Sequence, residues 1–115
     1  ACAAGLAALD ILQKEDMIGR VKALAPYFEQ AVHSLKGAKH VADIRNFGLI
    51  GAIELEPIAG QPTKRAFSAF LKAFERGLLI RTTGDIIAMS PPLIISKAQI
   101  DEIVGKLGRV LAAID

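Results

Sequence analysis

The segment Gly77–Leu93, Gly-Leu-Leu-Ile-Arg-Thr-Thr-Gly-Asp-Ile-Ile-Ala-Met-Ser-Pro-Pro-Leu, constrains this chain most strongly. Its two apolar runs, Leu78–Ile80 and Ile86–Met89, flank a polar turn of Thr82, Thr83, Gly84 and Asp85 and predict a β-hairpin. The chain must therefore carry a sheet. Arg81 falls at a strand end, beside the turn. A guanidinium on a rigid strand can present two parallel N–H groups to a carboxylate with little entropy left to lose. The plainer reading is a solvated strand-end arginine paired across the turn with Asp85, a contact worth under ~1 kcal/mol. Composition alone favours that plainer reading.

In chain order, Ala1–Gln13 is rich in Ala and Leu, with Leu6, Leu9 and Leu12 three apart, and reads as a helix with a broad apolar surface that docks on other protein. Asp16 offers an N-cap for a second helix. Its stripe of Ile18, Val21, Ala25, Phe28, Val32 and Leu35 is expected to be buried, with Gly37 as the stop and Pro26 imposing a kink or a division into two parts. Val41–Phe47 and Leu49–Glu56 follow as strands, since Ile53 and Leu55 alternate with Glu54 and Glu56. Gly48 and Gly51 suit a bulge or a close backbone approach. The two glutamates read as solvated groups on an outer sheet face rather than as an acid–base pair.

Pro57–Pro62 is a loop, and Thr63 can cap a third helix that Gly77 ends. Phe67, Phe70, Leu71 and Phe74 share one helix face, which is expected to be core. Pro91-Pro92 stops the last strand. Ser96 and Gln99 then form a capping box ahead of a helix with Ile100, Ile103, Val104, Leu107, Val110, Leu111 and Ile114 on one side. The sum is an α+β two-layer domain, a mostly antiparallel four-stranded sheet with helices packed on one face.

At 115 residues the chain closes one core and not two. Its 14 basic and 12 acidic residues are scattered, and five Phe, one Tyr and no Trp offer no stacking platform, so nucleic acid is not an expected partner. No apolar run reaches the roughly 18 residues of a membrane span. Cys2 cannot form an internal disulfide, which fits a reducing, cytoplasmic compartment, and it reads as a small apolar filler. With His33 and His40 as the only histidines, no metal-ligand cluster is expected. No strand-to-helix glycine loop of nucleotide-binding type is present. The opening at Ala1, inside an apolar helix pattern, suggests a piece of something larger.

Three stretches together carry a resemblance. Ile44–Leu55, Ile-Arg-Asn-Phe-Gly-Leu-Ile-Gly-Ala-Ile-Glu-Leu, is similar to the Arg-x-x-Gly-Leu-x-x-x-Ile-Glu-Leu hairpin of the class III (omega-type) pyridoxal-phosphate-dependent aminotransferases. Gly77-Leu78-Leu79-Ile80-Arg81 and Ser90-Pro91-Pro92-Leu93, followed by a helix with Ile100-Asp101, resemble that family's ending, and Ala1–Leu12 looks like the helix leaving its large domain. The likeness covers essentially the whole chain, which would then be the C-terminal small domain. Arg81-Thr82-Thr83-Gly84-Asp85 looks most like the Arg-x-x-Gly-Asp segment of the omega-amino acid–pyruvate aminotransferases.

That resemblance implies that Arg81 is a switchable arginine that grips a substrate carboxylate and moves aside for substrates lacking one. It also implies pyridoxal 5'-phosphate bound by a large domain of the same polypeptide, a homodimeric parent enzyme, and an amino donor and a keto acid as its small molecules. None of Lys14, Lys22, Lys36, Lys39, Lys64, Lys72, Lys97 or Lys106 stands in a context resembling the family's Schiff-base lysine. No catalytic and no cofactor-binding residue is therefore expected among these 115, and the piece alone is expected to be inert. The alternatives are another class III enzyme such as diaminopelargonate synthase, or a non-catalytic anion-binding or structural module.

Overall fold

The computed structural model describes residues 1–115. Helices α1 (Cys2–Lys14) and α2 (Met17–His33) precede strands β1 (Val41–Phe47) and β2 (Ile50–Leu55). Helix α3 (Lys64–Glu75), strands β3 (Arg81–Thr83) and β4 (Ile86–Met89), and helix α4 (Lys97–Ala113) complete the chain. The four strands form one antiparallel sheet in the order β1-β2-β4-β3, so β1 and β3 are its free edges. This is the expected α+β layering.

Side-chain alternation sorts the sheet into two faces. Ile44, Ile53, Leu55, Ile87 and Met89 are buried against Phe28 and Val32 of α2 and Ile100, Leu107, Val110 and Leu111 of α4. On the outer face the register lines up Arg45, Ala52, Ala88 and Arg81 across all four strands. Arg45 there donates to Asp43 Oδ2 at 2.6 Å and to Glu54 Oε2 at 2.7 Å. These two bonds raise the Arg45 guanidinium above its already high pKa; Glu54 lies on the outer face as expected, but there it is paired with Arg45.

Several local expectations are met by their physics. Asp16 accepts Gly19 N–H at 3.2 Å as the N-cap of α2. Ser96 and Gln99 bond each other's main chain in a complete capping box. The N–H groups of Gly77 and Leu78 donate to Phe74 O and Ala73 O, the paired bonds of a Schellman ending, with Gly77 at φ 68°.

Others are corrected. The buried stripe of α2 is Met17, Leu24, Phe28 and Val32, while Ile18 is exposed, because the face toward the core is rotated by one residue at the helix start. Helix α2 runs through Pro26 as one element and ends at His33, before a series of tight turns reaches Gly37. The register shift in β1 lies between Val41 and Asp43, not at a glycine. Gly51 serves close approach instead: a Cβ there would lie 3.0 Å from Met89 Cε and 3.3 Å from the Phe28 ring.

The largest correction concerns α3. Its buried face is Arg65, Ala66, Ala69 and Ala73, and Phe67, Leu71 and Phe74 are exposed. Small residues let the helix backbone approach the core closely, which turns the bulky stripe outward. Arg65 supports this seat by donating to the main-chain oxygens of Glu56 and Asp115. Thr63 makes no side-chain cap, and sits at φ 70°, a conformation that costs a β-branched residue of order 1–3 kcal/mol.

Candidate functional site

Arg81 opens β3 rather than closing a strand beside the turn. The run Leu78–Ile80 joins no strand, and the ladder begins at Arg81 opposite Ala88, then Thr82 opposite Ile87 and Thr83 opposite Ile86. Gly84 and Asp85 alone form the loop, with Gly84 at φ 60°. A two-residue loop fixes which residues face each other, so the hairpin stands but its first strand is displaced toward the turn.

The Arg81 side chain is exposed and takes part in no ion pair. The pairing with Asp85 contemplated from sequence is not made: the Asp85 carboxylate accepts Thr63 N–H at 2.9 Å instead. Arg81 thus keeps its five donors free for a ligand or water.

Beside Arg81 lies an open groove of about 1230 Å³. Its walls are Leu78–Thr82 of the edge strand and its approach, Ser90–Pro92 with Ile94 and Ile95, Phe67 and Phe70 of α3, and Gln99, Glu102, Ile103 and Lys106 of α4. An apolar trough with a few polar groups at one rim is the usual form of a small-molecule site. Phe67 and Phe70 stack along it with ring centroids 6.1 Å apart.

Lys106 and Glu102 pair at 2.7 Å one helical turn apart, and the ammonium holds the Glu102 carboxyl below its ordinary value. The groove therefore offers one free cation, Arg81, and one neutralised pair. Arg20 was not singled out from sequence, yet it fastens one wall: Nε donates to Leu93 O at 3.3 Å, and Nη2 to Ile94 O at 3.0 Å and Ile95 O at 2.8 Å. No sequence signal links residues 73 to 75 positions apart. The Glu102–Lys106 pair, by contrast, was legible as an i,i+4 spacing.

The remaining candidates stand elsewhere. Cys2 is exposed on α1 rather than packed as a filler. His33 Nε2 meets Asn46 Oδ1 at 2.9 Å, and His40 Nδ1 lies 3.9 Å from Glu56. No group of three or more His, Cys, Asp or Glu side chains is gathered to hold a metal ion, and no helix is long and apolar enough to cross a membrane.

An omega-aminotransferase of Caulobacter vibrioides is 52% identical over 115 residues, 100% of this chain and 26% of the relative. A beta-alanine–pyruvate aminotransferase of Pseudomonas aeruginosa is 43% identical over 99% of this chain and 25% of its own length. Among solved structures, an adenosylmethionine-8-amino-7-oxononanoate aminotransferase from Methanocaldococcus jannaschii superposes with a TM-score of 0.89 at 28% identity, over 99% of this chain and 27% of that one. The omega-transferase of Vibrio fluvialis JS17 gives 0.86 at 27% identity, covering 96% and 28%. The chain thus spans about 26% of the length of the relatives it matches. Residues 1–111 match the family described as aminotransferase class-III, and the chain belongs to that family.

Proposed function

We propose that these residues form the C-terminal small domain of a pyridoxal-phosphate-dependent enzyme that moves an amino group from an omega-amino acid or amine to pyruvate or a similar keto acid. In this reading Arg81 grips the substrate carboxylate. The identity of 52% to an omega-aminotransferase along the entire chain carries the assignment. Another branch of the class, such as diaminopelargonate synthase, is the alternative. The 28% identity to the Methanocaldococcus enzyme, which is named for a different specificity, makes it the weaker one.

Arg81 suits the role physically. An arginine fixed in a buried ion pair would leave a charge unpaired whenever a substrate without a carboxylate bound. On a free sheet edge, exposed and unpaired, its guanidinium can turn to water in that case and to the groove in the other. Its resting partner is solvent, because Asp85 is committed to Thr63.

The groove itself does not fit pyridoxal phosphate. Lys106 is the one lysine in its lining, and Glu102 holds it in an ion pair at 2.7 Å. The cofactor supplies the electron sink for amino transfer, and the residues that hold it are proposed to lie in a large domain of the same polypeptide. The exposed apolar residues support that placement. Leu6, Leu9 and Phe74 are 59–66% accessible, a burden that a partner surface relieves. We place the parent enzyme in the cytoplasm as a homodimer, and regard this piece as inert alone.

The test is made on the full-length protein that carries this segment. A yellow dimer that borohydride reduces at one lysine outside these 115 residues, and that transfers the amino group of β-alanine to pyruvate, supports the reading. Borohydride labelling at a lysine within the segment, or a native protein no larger than the segment itself, overturns it.

A further inference from the structure

The turn that carries β3 is fastened at one residue. Asp85 accepts Thr63 N–H on Oδ2 at 2.9 Å and Leu55 N–H on its main-chain oxygen at 2.8 Å. The end of β2, the β3–β4 turn and the start of α3 therefore meet there. The bond to Thr63 is charge-assisted and lies at a helix N-terminus, where negative charge is favoured. Oδ1 of the same carboxylate is buried without a hydrogen-bond partner, so the Thr63 contact is what holds the side chain.

Strand β3 has only three residues and one sheet neighbour, and a strand so short takes its register and direction from its turn. Arg81 begins that strand, four residues before Asp85. We propose that Asp85 is the positioning residue for Arg81: by pinning the turn to α3 it holds the arginine at the groove in the orientation that meets a substrate carboxylate. It does so without touching the guanidinium. The inference rests on the carboxylate-gripping reading of Arg81.

The experiment compares the full-length enzyme with its Asp85→Ala, Asp85→Asn, Arg81→Ala and Asp85→Ala/Arg81→Ala variants. The readout is the ratio of kcat/KM for β-alanine to that for propylamine, which keeps the amine and lacks the carboxylate. Asp85→Ala is expected to lower this ratio about tenfold, through KM, as a misaimed binding group does. Asp85→Asn keeps an acceptor oxygen but loses the charge, so a fall of about threefold is expected. The double variant should fall no further than Arg81→Ala alone.

An unchanged ratio in Asp85→Ala, whether or not total activity drops, assigns Asp85 a purely structural role and overturns the inference. Should that variant fail to accumulate, the ratio in Asp85→Asn decides on the same terms. A ratio that survives Arg81→Ala defeats the arginine reading and the inference together. A ratio that falls with Arg81→Ala and not with either Asp85 substitution defeats the inference alone.

Discussion

Arg20 Nη2 donates to the main-chain oxygen of Ile95 at 2.8 Å, and the same guanidinium reaches the oxygens of Ile94 and Leu93. One side chain of α2 therefore satisfies three successive carbonyls of the segment that walls the groove. A guanidinium reaches them from two nitrogens held in a planar fork, whereas an ammonium would have to reach all three from a single nitrogen.

Arg20→Met keeps most of the apolar stem and removes all three bonds. Hydrogen bonds to a charged donor contribute about 1.5–3 kcal/mol when well buried and less at a surface, so a loss of about 1–3 kcal/mol is expected for the set. Thermal unfolding of the full-length protein measures it. Arg20→Lys should recover only a minor part, and equal stability of the Lys variant and the native protein would contradict the fork argument.

Gly51→Val forces side-chain atoms into a space where even a Cβ would meet Met89 Cε at 3.0 Å. Overpacking of this kind costs about 1–3 kcal/mol. The same substitution at Gly5, where a Cβ meets nothing within 4 Å, is expected to cost far less. Denaturation midpoints of the two variants make the comparison.

The Tyr27 hydroxyl donates to Asp101 at 2.6 Å, tying α2 to α4, and this bond to a carboxylate raises the tyrosine pKa above 10.0. A folded-state pKa above the unfolded one stabilises the fold fully below the unfolded value, and the contribution is lost as pH rises through the folded value. Tyr27→Phe should therefore melt lower than the native protein at pH 7, with the gap closing at pH above 10. A gap that is constant across that range would assign the effect to packing instead of the bond.

Much of this architecture was legible where local chemistry is decisive. Asp16, Ser96 with Gln99, and Gly77 mark helix ends because each satisfies a main-chain group within a few residues of itself. Helix α3 was misread because it carries two apolar faces, and periodicity reports that a face exists without saying which neighbour it meets. Ala66, Ala69 and Ala73 took the core, and Phe67, Leu71 and Phe74 were left outside. Strand β3 was misplaced because Leu78–Ile80 has strand composition, while the ladder is set by the two-residue loop at Gly84-Asp85. The bonds of Arg20 and of Asp85 to Thr63 join residues far apart in the chain, and spacing carries no trace of them.

The outward phenylalanines give a direct check on the proposed large domain. In the full-length protein, Phe74→Ala should cost several times what an exposed site does, about 3 kcal/mol or more, because that face is then buried against the rest of the enzyme. A change within about 0.5 kcal/mol would mean the face stays in water. Calorimetry on the two full-length proteins distinguishes these outcomes.

The central claim, that Arg81 grips a substrate carboxylate, is tested most directly by Arg81→Ala in the full-length enzyme, with kcat/KM determined for β-alanine and for propylamine. The expected result is a loss confined to the carboxylate substrate, of about 2–5 kcal/mol or roughly 30-fold and upward. An equal loss for both amines, or none for β-alanine, would contradict it.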